Sequence, residues 1–313
     1  MRMIQVQSPG LLTTVQDLGR EGFGHLGVSP SGAADPISLR LGNRLVGNAE
    51  GTAALEMTLL GGTFLFPQGA ILALTGSDFG TTLGGAPLEQ WTSVEAKPGQ
   101  TLRVGSTRSG ARCYLCVQGG IVAKPFLGSA STHLLSGLGG REGRALRKGD
   151  VLQIGAATVC FQKRAIAPQV LEYLSPRKML RVTSGPQSDW FPPPSQEKFY
   201  QSAYRVAEES NRMGLRLQGP AIAQGSSGEM ITEGVSLGAV QITAGGQPII
   251  LFVEQQTTGG YAKIANVISA DLHSLGQLRP RDEIRFECID WETARSLLLE
   301  QVKLLASEDL ISG

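Results

Sequence analysis

With 313 residues, 41% of them hydrophobic and only 18% charged, the chain is long enough for two lobes of ordinary size and is neither disordered nor a coiled coil. A formal net charge of +1 gives no surface able to track phosphates, which argues against nucleic-acid binding. The 41 glycines and 16 prolines, set between short apolar runs, predict many short strands and few helices.

The N-terminus, Met1-Arg2-Met3-Ile4-Gln5-Val6-Gln7, has no apolar run of secretory length. Runs such as Ile249–Val253 are too short to span a bilayer. A cytoplasmic protein without a membrane partner is expected. Gly22-Phe23-Gly24-His25-Leu26-Gly27 fits the spacing of a dinucleotide loop, but no apolar strand precedes it and Pro30 and Gly32 interrupt any helix after it. Asp35-Pro36 reads as an N-cap with proline at the first helical position. Ile37, Leu41 and Leu45 follow at helical spacing, and Gly47 closes the helix. Cys113-Tyr114-Leu115-Cys116 lies in an apolar strand, where residues three apart face opposite ways, so both cysteines read as small core residues. All four cysteines are expected as reduced thiols, and His25, His133 and His273 are too scattered for a multi-histidine metal centre. Phe191-Pro192-Pro193-Pro194-Ser195 reads as a loop, and Gly225-Ser226-Ser227-Gly228 as a flexible turn rather than a nucleophile elbow. Asp290 caps a last helix running through Leu305. Its stripe of Trp291, Ala294, Leu298, Val302 and Leu305 is expected to dock on the chain's own core.

The chain also resembles itself. One constant offset carries Gly119-Gly120 onto Gly259-Gly260, Ser129-Ala130 onto Ser269-Ala270, His133 onto His273 and Leu138 onto Leu278. The preceding strand-like runs, Gly110–Val117 and Gly246–Val253, match at a shorter offset, so a four-residue insertion falls between Val253 and Gly259. The repeats close alike, with Arg147-Lys148-Gly149-Asp150 and Arg279-Pro280-Arg281-Asp282 each feeding an alternating strand; Lys97-Pro98-Gly99-Gln100 has the same shape. Two related β-barrel lobes from a duplication, residues 1–165 and 172–313, are the simplest account, the second ending in the C-terminal helix. The insertion places Gln256-Thr257-Thr258-Gly259-Gly260-Tyr261 at the end of a buried strand, where a purely structural copy needs none of these polar groups.

Other polar, glycine-punctuated stretches are Thr13–Arg20, Asn211-Arg212-Met213-Gly214 and Glu229–Gly234. Taken with Ser8–Leu12, Ser31–Asp35, Leu45–Asn48, Leu55–Thr58, Gln256–Tyr261 and Ile268–Leu272, they make the chain resemble the KipA-like family from near its N-terminus to about Phe286. That family includes the C subunit of the bacterial ATP-dependent 5-oxoprolinase, the second half of the urea carboxylase carboxyltransferase domain, and an antagonist of the kinase inhibitor KipI. The resemblance implies cyclophilin-like β-barrel lobes. It implies two partners, a KipI-like subunit and a third, LamB/YcsF-like subunit, and a small cyclic or linear amide as substrate. Two residues depart from the pattern: Glu254 stands where aspartate is expected and Ala262 where proline is usual.

The activity so implied converts 5-oxo-L-proline, ATP and water to L-glutamate, ADP and phosphate. Carboxyl transfer to urea and non-catalytic binding of a KipI-like inhibitor are the alternatives. Opening an unstrained lactam needs groups that hold a carboxylate, polarise an amide and stabilise developing charge. Lys263, Tyr261, Glu254 and Asp17 are the catalytic candidates. Gln256, Thr257, Thr258, Arg20, Asn211, Arg212, Glu56 and Glu229 are the candidates for holding substrate. ATP belongs to the complex, with its site and any Mg left open. The chain has no biotin-attachment sequence, so biotin, if used, rides on another chain.

Overall fold

The computed structural model of the chain describes residues 2–156, 160–225 and 230–312. The protein is mostly β with few helices, and it forms two compact units. The first comprises Met1–Arg20, Ser31–Leu174 and Glu308–Gly313; the second comprises Glu21–Pro30 and Ser175–Ser307. Among the described residues no helix is long and apolar enough to cross a membrane.

In the first unit the strands are β1 (Met3–Ser8), β2 (Leu12–Gln16), β3 (Ala54–Thr58), β4 (Thr63–Phe66), β5 (Ala70–Gly76), β6 (Thr82–Leu83), β7 (Ala86–Pro87), β8 (Ser93–Ala96), β9 (Gln100–Arg103), β10 (Arg112–Val117), β11 (Val151–Gln153) and β12 (Ala165–Ile166). They form one sheet in the order β11-β1-β4-β9-β6-β7 and another in the order β2-β3-β10-β5-β8. Alternation along the strands sends Ile4, Val6, Phe64 and Phe66 from one sheet, and Leu55, Met57, Cys113 and Leu115 from the other, into a single buried cluster.

Helix α1 (Pro36–Leu45) packs against β5 and β10. It is capped as its sequence predicts, Asp35 accepting from the Ser38 backbone N–H at 3.0 Å. The two strand cysteines do face opposite ways. Cys113 enters the core cluster, whereas the Cys116 thiol lies 3.7 Å from the Leu39 carbonyl of α1, and burial pushes both thiols well above their ordinary range. Helix and sheet approach so closely here that a Cβ on Gly42 would sit 2.6 Å from Cys116 Sγ and 2.8 Å from Thr75 Oγ1. Gly42→Val is therefore expected to destabilise the protein by about 3 kcal/mol. Gly42→Ala should cost less, because better helix propensity returns about 1 kcal/mol. Denaturant titration of both variants checks the order.

In the second unit, β13 (Met179–Ser184), β14 (Tyr204–Val206), β15 (Gly214–Gln218), β16 (Glu233–Gly234), β17 (Ala239–Ile242), β18 (Pro248–Leu251), β19 (Thr258–Gly259), β20 (Lys263–Val267) and β21 (Glu283–Cys288) follow in turn; β22 (Ile311–Ser312) returns to pair with β12 in the first unit. Seven of them close a barrel in the order β13-β20-β17-β18-β15-β14-β21, sealed by the parallel pair β13–β21. The pair β16–β19 forms a separate two-stranded flap. Helices α2 (Pro168–Tyr173), α3 (Pro193–Gln201), α4 (Leu272–Leu275) and α5 (Trp291–Leu305) complete the chain.

Two expectations are corrected. The proline-rich stretch is not a loop: Pro193 opens α3, where its missing N–H costs nothing, and Phe199 of α3 stacks on Phe286 of β21 at 4.6 Å. Asp290 does cap α5, but the helix does not dock through the whole expected stripe. Trp291 is 64% and Val302 52% exposed, while Gln301 and Leu305 are buried. The helix is anchored by Gln301, which donates to the Ala270 carbonyl at 2.9 Å, and this turns the apolar stripe partly outward.

The repeat is visible in the topology. Strand β10 lies between β3 and β5 as β18 lies between β15 and β17. The closing turns agree in detail. In Lys97–Gln100, Arg147–Asp150 and Arg279–Asp282 the fourth side chain accepts from the first backbone N–H at 2.8, 2.7 and 2.8 Å. The third residue is left-handed in each, at φ 81°, 89° and 73°. Glycine takes that conformation freely in the first two turns; Arg281 bears it in the third.

Candidate functional site

The outer face of β15, β18 and β17 forms the floor of a groove. Leu215, Leu217 and Ile250 point into the barrel, so Gly214, Arg216, Ile249 and Gln241 alternate outward. Register sets Arg216 and Gln241 opposite Ile249 on either side. Asn211, Gln256 and Tyr261 add a rim, enclosing a cavity of about 210 Å³. A wider hollow of about 460 Å³ shares Arg216, Thr243, Ile249 and Tyr261 with it. Among the described residues the Arg216 guanidinium has no hydrogen bond or ion pair, so a full set of planar donors is open to a ligand. Tyr261 is 45% exposed, and its carbonyl accepts from Gln241 Nε2 at 3.4 Å.

The Gln256–Tyr261 segment is shaped by close packing at Gly259. A Cβ there would meet the Gln241 amide nitrogen at 2.6 Å and that of Gln256 at 3.0 Å, so glycine keeps both amides at the cavity wall. Thr257 and Thr258 serve the flap: Thr258 pairs with Gly234, and the Thr257 carbonyl accepts from the Val235 backbone N–H at 3.1 Å.

Lys263 begins β20 as the register partner of Gln241, at a β-bulge that interrupts the β17–β20 ladder. Bulges re-aim side chains in this way. Its side chain is buried, and Nζ lies 2.5 Å from Oε1 of Glu233 on the flap. Gln187 binds the same groups, donating to Glu233 Oε1 at 2.9 Å and accepting from the Lys263 backbone N–H at 3.2 Å. The Lys263 ammonium, and then the Gln187 amide, hold the Glu233 carboxyl below its ordinary range.

Arg212 and Glu254, expected to act on substrate, are each other's partners. Nε and Oε1 are 2.5 Å apart, the two side chains are 6% and 3% exposed, and the Glu254 backbone N–H donates to the Arg212 carbonyl at 2.7 Å. The cation presented to the cavity is instead Arg216. Asn211 does line the cavity, and its side chain also accepts from the Met213 backbone N–H at 2.8 Å in a local turn.

Asp17, Arg20 and Glu56 belong to the first unit, where each is engaged. Asp17 accepts from Ser129 Oγ, Ser131 Oγ and the backbone N–H groups of Ala130 and Gly19 at 2.5–2.8 Å. Arg20 donates to the carbonyls of Ser131 and Phe126 and lies over the Phe126 ring. Together they pin the Phe126–Ser131 loop. Glu56 accepts from Tyr114 Oη and the Ala34 backbone N–H, both at 2.8 Å, and so fixes the chain entering α1. Glu229 lies outside the described residues, as do Ser226, Ser227 and Gly228 of the expected turn. Among the described residues no group of three or more His, Cys, Asp or Glu side chains is arranged to hold a metal ion.

Arg216, Gln241, Gln187 and Glu233 join the site without having stood out in the sequence. The first two carry a signal there, because each alternates with apolar neighbours on a strand and must face outward on a barrel. Gln187 and Glu233 carry none, since their roles depend on contacts to Lys263 across long stretches of chain.

Known proteins share this fold. Residues 26–288 match the family described as carboxyltransferase domain, subdomain A and B, and the chain belongs to it. It is 36% identical over 312 residues to the 5-oxoprolinase C subunit of Haemophilus influenzae, covering 98% of this chain and 99% of that one. It is 37% identical over 326 residues to the urea amidolyase of Saccharomyces cerevisiae, covering 98% of this chain but 18% of the amidolyase. The crystal structure of Kluyveromyces lactis urea carboxylase superposes with a TM-score of 0.90 at 35% identity, over 99% of this chain and 30% of that one.

Proposed function

We propose that this chain is the C subunit of an ATP-dependent 5-oxoprolinase, acting with a KipI-like subunit and a LamB/YcsF-like third subunit. The observation that carries this reading is the match to a 5-oxoprolinase C subunit over 99% of that relative's length. The groove suits the substrate chemically. 5-Oxoproline is small, with one carboxylate and one lactam, and the groove offers one unengaged guanidinium, amides from Asn211, Gln241 and Gln256, and the Tyr261 phenol. Arg216 takes the carboxylate in bidentate fashion. Lys263, beneath the flap, stabilises charge developing on the lactam oxygen.

The test is reconstitution of the three subunits, with ATP-dependent glutamate release from 5-oxoproline as the readout. Arg216→Ala is expected to raise KM for 5-oxoproline at least tenfold with kcat within about threefold, the loss of one charge-assisted bidentate contact. No glutamate release from the wild-type complex would overturn the assignment.

A second reading, carboxyl transfer to urea, is favoured by the 37% identity to urea amidolyase and the TM-score of 0.90 to urea carboxylase. It requires biotin carried by another chain. Transfer from a carboxylated biotin carrier to urea, with no turnover of 5-oxoproline, would establish it instead.

A further inference from the structure

The insertion that distinguishes the second repeat builds a specific piece of structure. It leads directly into β19, whose ladder partner β16 carries Glu233, and Glu233 reaches back to Lys263. We infer that Glu233 and Gln187 are positioning residues that fix the Lys263 ammonium so that its remaining N–H groups meet an oxygen gaining negative charge in the substrate. The inference deepens the oxoprolinase reading and rests on it for the identity of that oxygen.

Three observations support it. First, Lys263 is 3% exposed, and among the described residues the Glu233 carboxylate is the one partner of Nζ. An ammonium has three donors, so two have no partner among the described residues, in a place where water is largely excluded. Second, Gln187 holds both members of the pair. It bonds the Lys263 backbone through its side-chain oxygen at 3.2 Å and its own N–H at 3.3 Å, and it gives its amide N–H to Glu233. Neither Lys263 nor Glu233 can then shift without breaking bonds to one common residue. Third, the countercharge arrives on a flap outside the seven barrel strands, and a β-bulge interrupts the barrel ladder beside Lys263. A lysine needed only for packing would require neither feature. Glu233 is itself 45% exposed, and Lys263 and then Gln187 hold its carboxyl below the ordinary range.

The deciding experiment compares Glu233→Gln, Glu233→Asp, Lys263→Met and the double variant Glu233→Gln/Lys263→Met in the reconstituted three-subunit complex. Glu233→Gln is expected to lower kcat at least 20-fold with KM for 5-oxoproline within threefold. Glu233→Asp should recover a third or more of wild-type kcat. The double variant should be no slower than Lys263→Met, since Glu233 acts only through the lysine. A Glu233→Gln complex within twofold of wild type, or a double variant showing the product of the two single losses, would overturn the inference.

Acetic anhydride labelling of the isolated full chain, read by mass spectrometry, separates this result from failure of the oxoprolinase assignment. If wild type does not turn over 5-oxoproline, the assignment fails. The positioning claim then stands only if Lys263 labels at least tenfold faster in Glu233→Gln than in wild type, and it falls if the two rates agree.

Discussion

Arg212→Ala is expected to lower the stability of the chain by about 3–5 kcal/mol, a loss typical of removing one partner from a buried ion pair. The pair is buried on both sides and joined at 2.5 Å, and the neighbouring backbones are tied by the bond from the Glu254 N–H to the Arg212 carbonyl. With the guanidinium gone, the Glu254 carboxylate remains in a site with almost no water, and little relaxation of the surrounding strands can bring water to it. Glu254→Ala should be equally harmful for the mirror reason. Replacing both with apolar residues of similar volume, Arg212→Met with Glu254→Leu, should recover most of the loss, because a buried pair repays its desolvation only in part. Denaturant unfolding of the three variants tests this. A substrate-binding role would give the opposite pattern: near-normal unfolding midpoints, with KM raised in both single variants and still raised in the double one. The expectation of aspartate at position 254 also gains a physical setting, since its shorter carboxylate would have to meet the same buried guanidinium.

Much of this architecture is legible in the sequence because it rests on local chemistry. The α1 cap follows from Asp35-Pro36, and the opposed cysteines follow from strand alternation. The repeated turn Arg147–Asp150 and Arg279–Asp282 is recognisable because an acid three residues on must fold back to the first N–H. Where expectation and structure part, tertiary context decides. The α5 stripe has the right period, but periodicity does not say which residues on a face find a surface to meet, and Gln301 takes the anchoring position. Pro193 is hidden as a helix start by the run of prolines around it. The site divides in the same way. Gln256 stands out through an insertion and Tyr261 through the polar segment that continues it, and both line the cavity. Arg212 and Asp17 stand out by charge, and each has partners within its own unit, which charge in a sequence does not reveal. Arg216 is inconspicuous for the converse reason: it stands in an ordinary alternating strand and is marked only by having no internal partner among the described residues.

Lys263→Met should leave the fold intact and remove most of the catalysis, with kcat for glutamate release falling about 100- to 1,000-fold, the usual cost of deleting one preorganised donor to developing charge. Stability should change little, because the freed Glu233 carboxylate is 45% exposed and returns to water, while methionine fills the buried stem of the lysine. In this it differs from the Arg212–Glu254 pair, where neither group can reach solvent. Lys263→Arg restores the charge but spreads it over a planar fork that does not fit one compact ammonium position, so it should recover at most about a tenth of the lost rate. The binding step should be spared, because the guanidinium offered to the substrate carboxylate is Arg216, and KM should stay within about threefold. A Lys263→Met complex with near-wild-type kcat would show that the buried ammonium only completes a salt bridge. A raised KM at unchanged kcat would place it in ground-state binding rather than at the charge formed as the lactam opens.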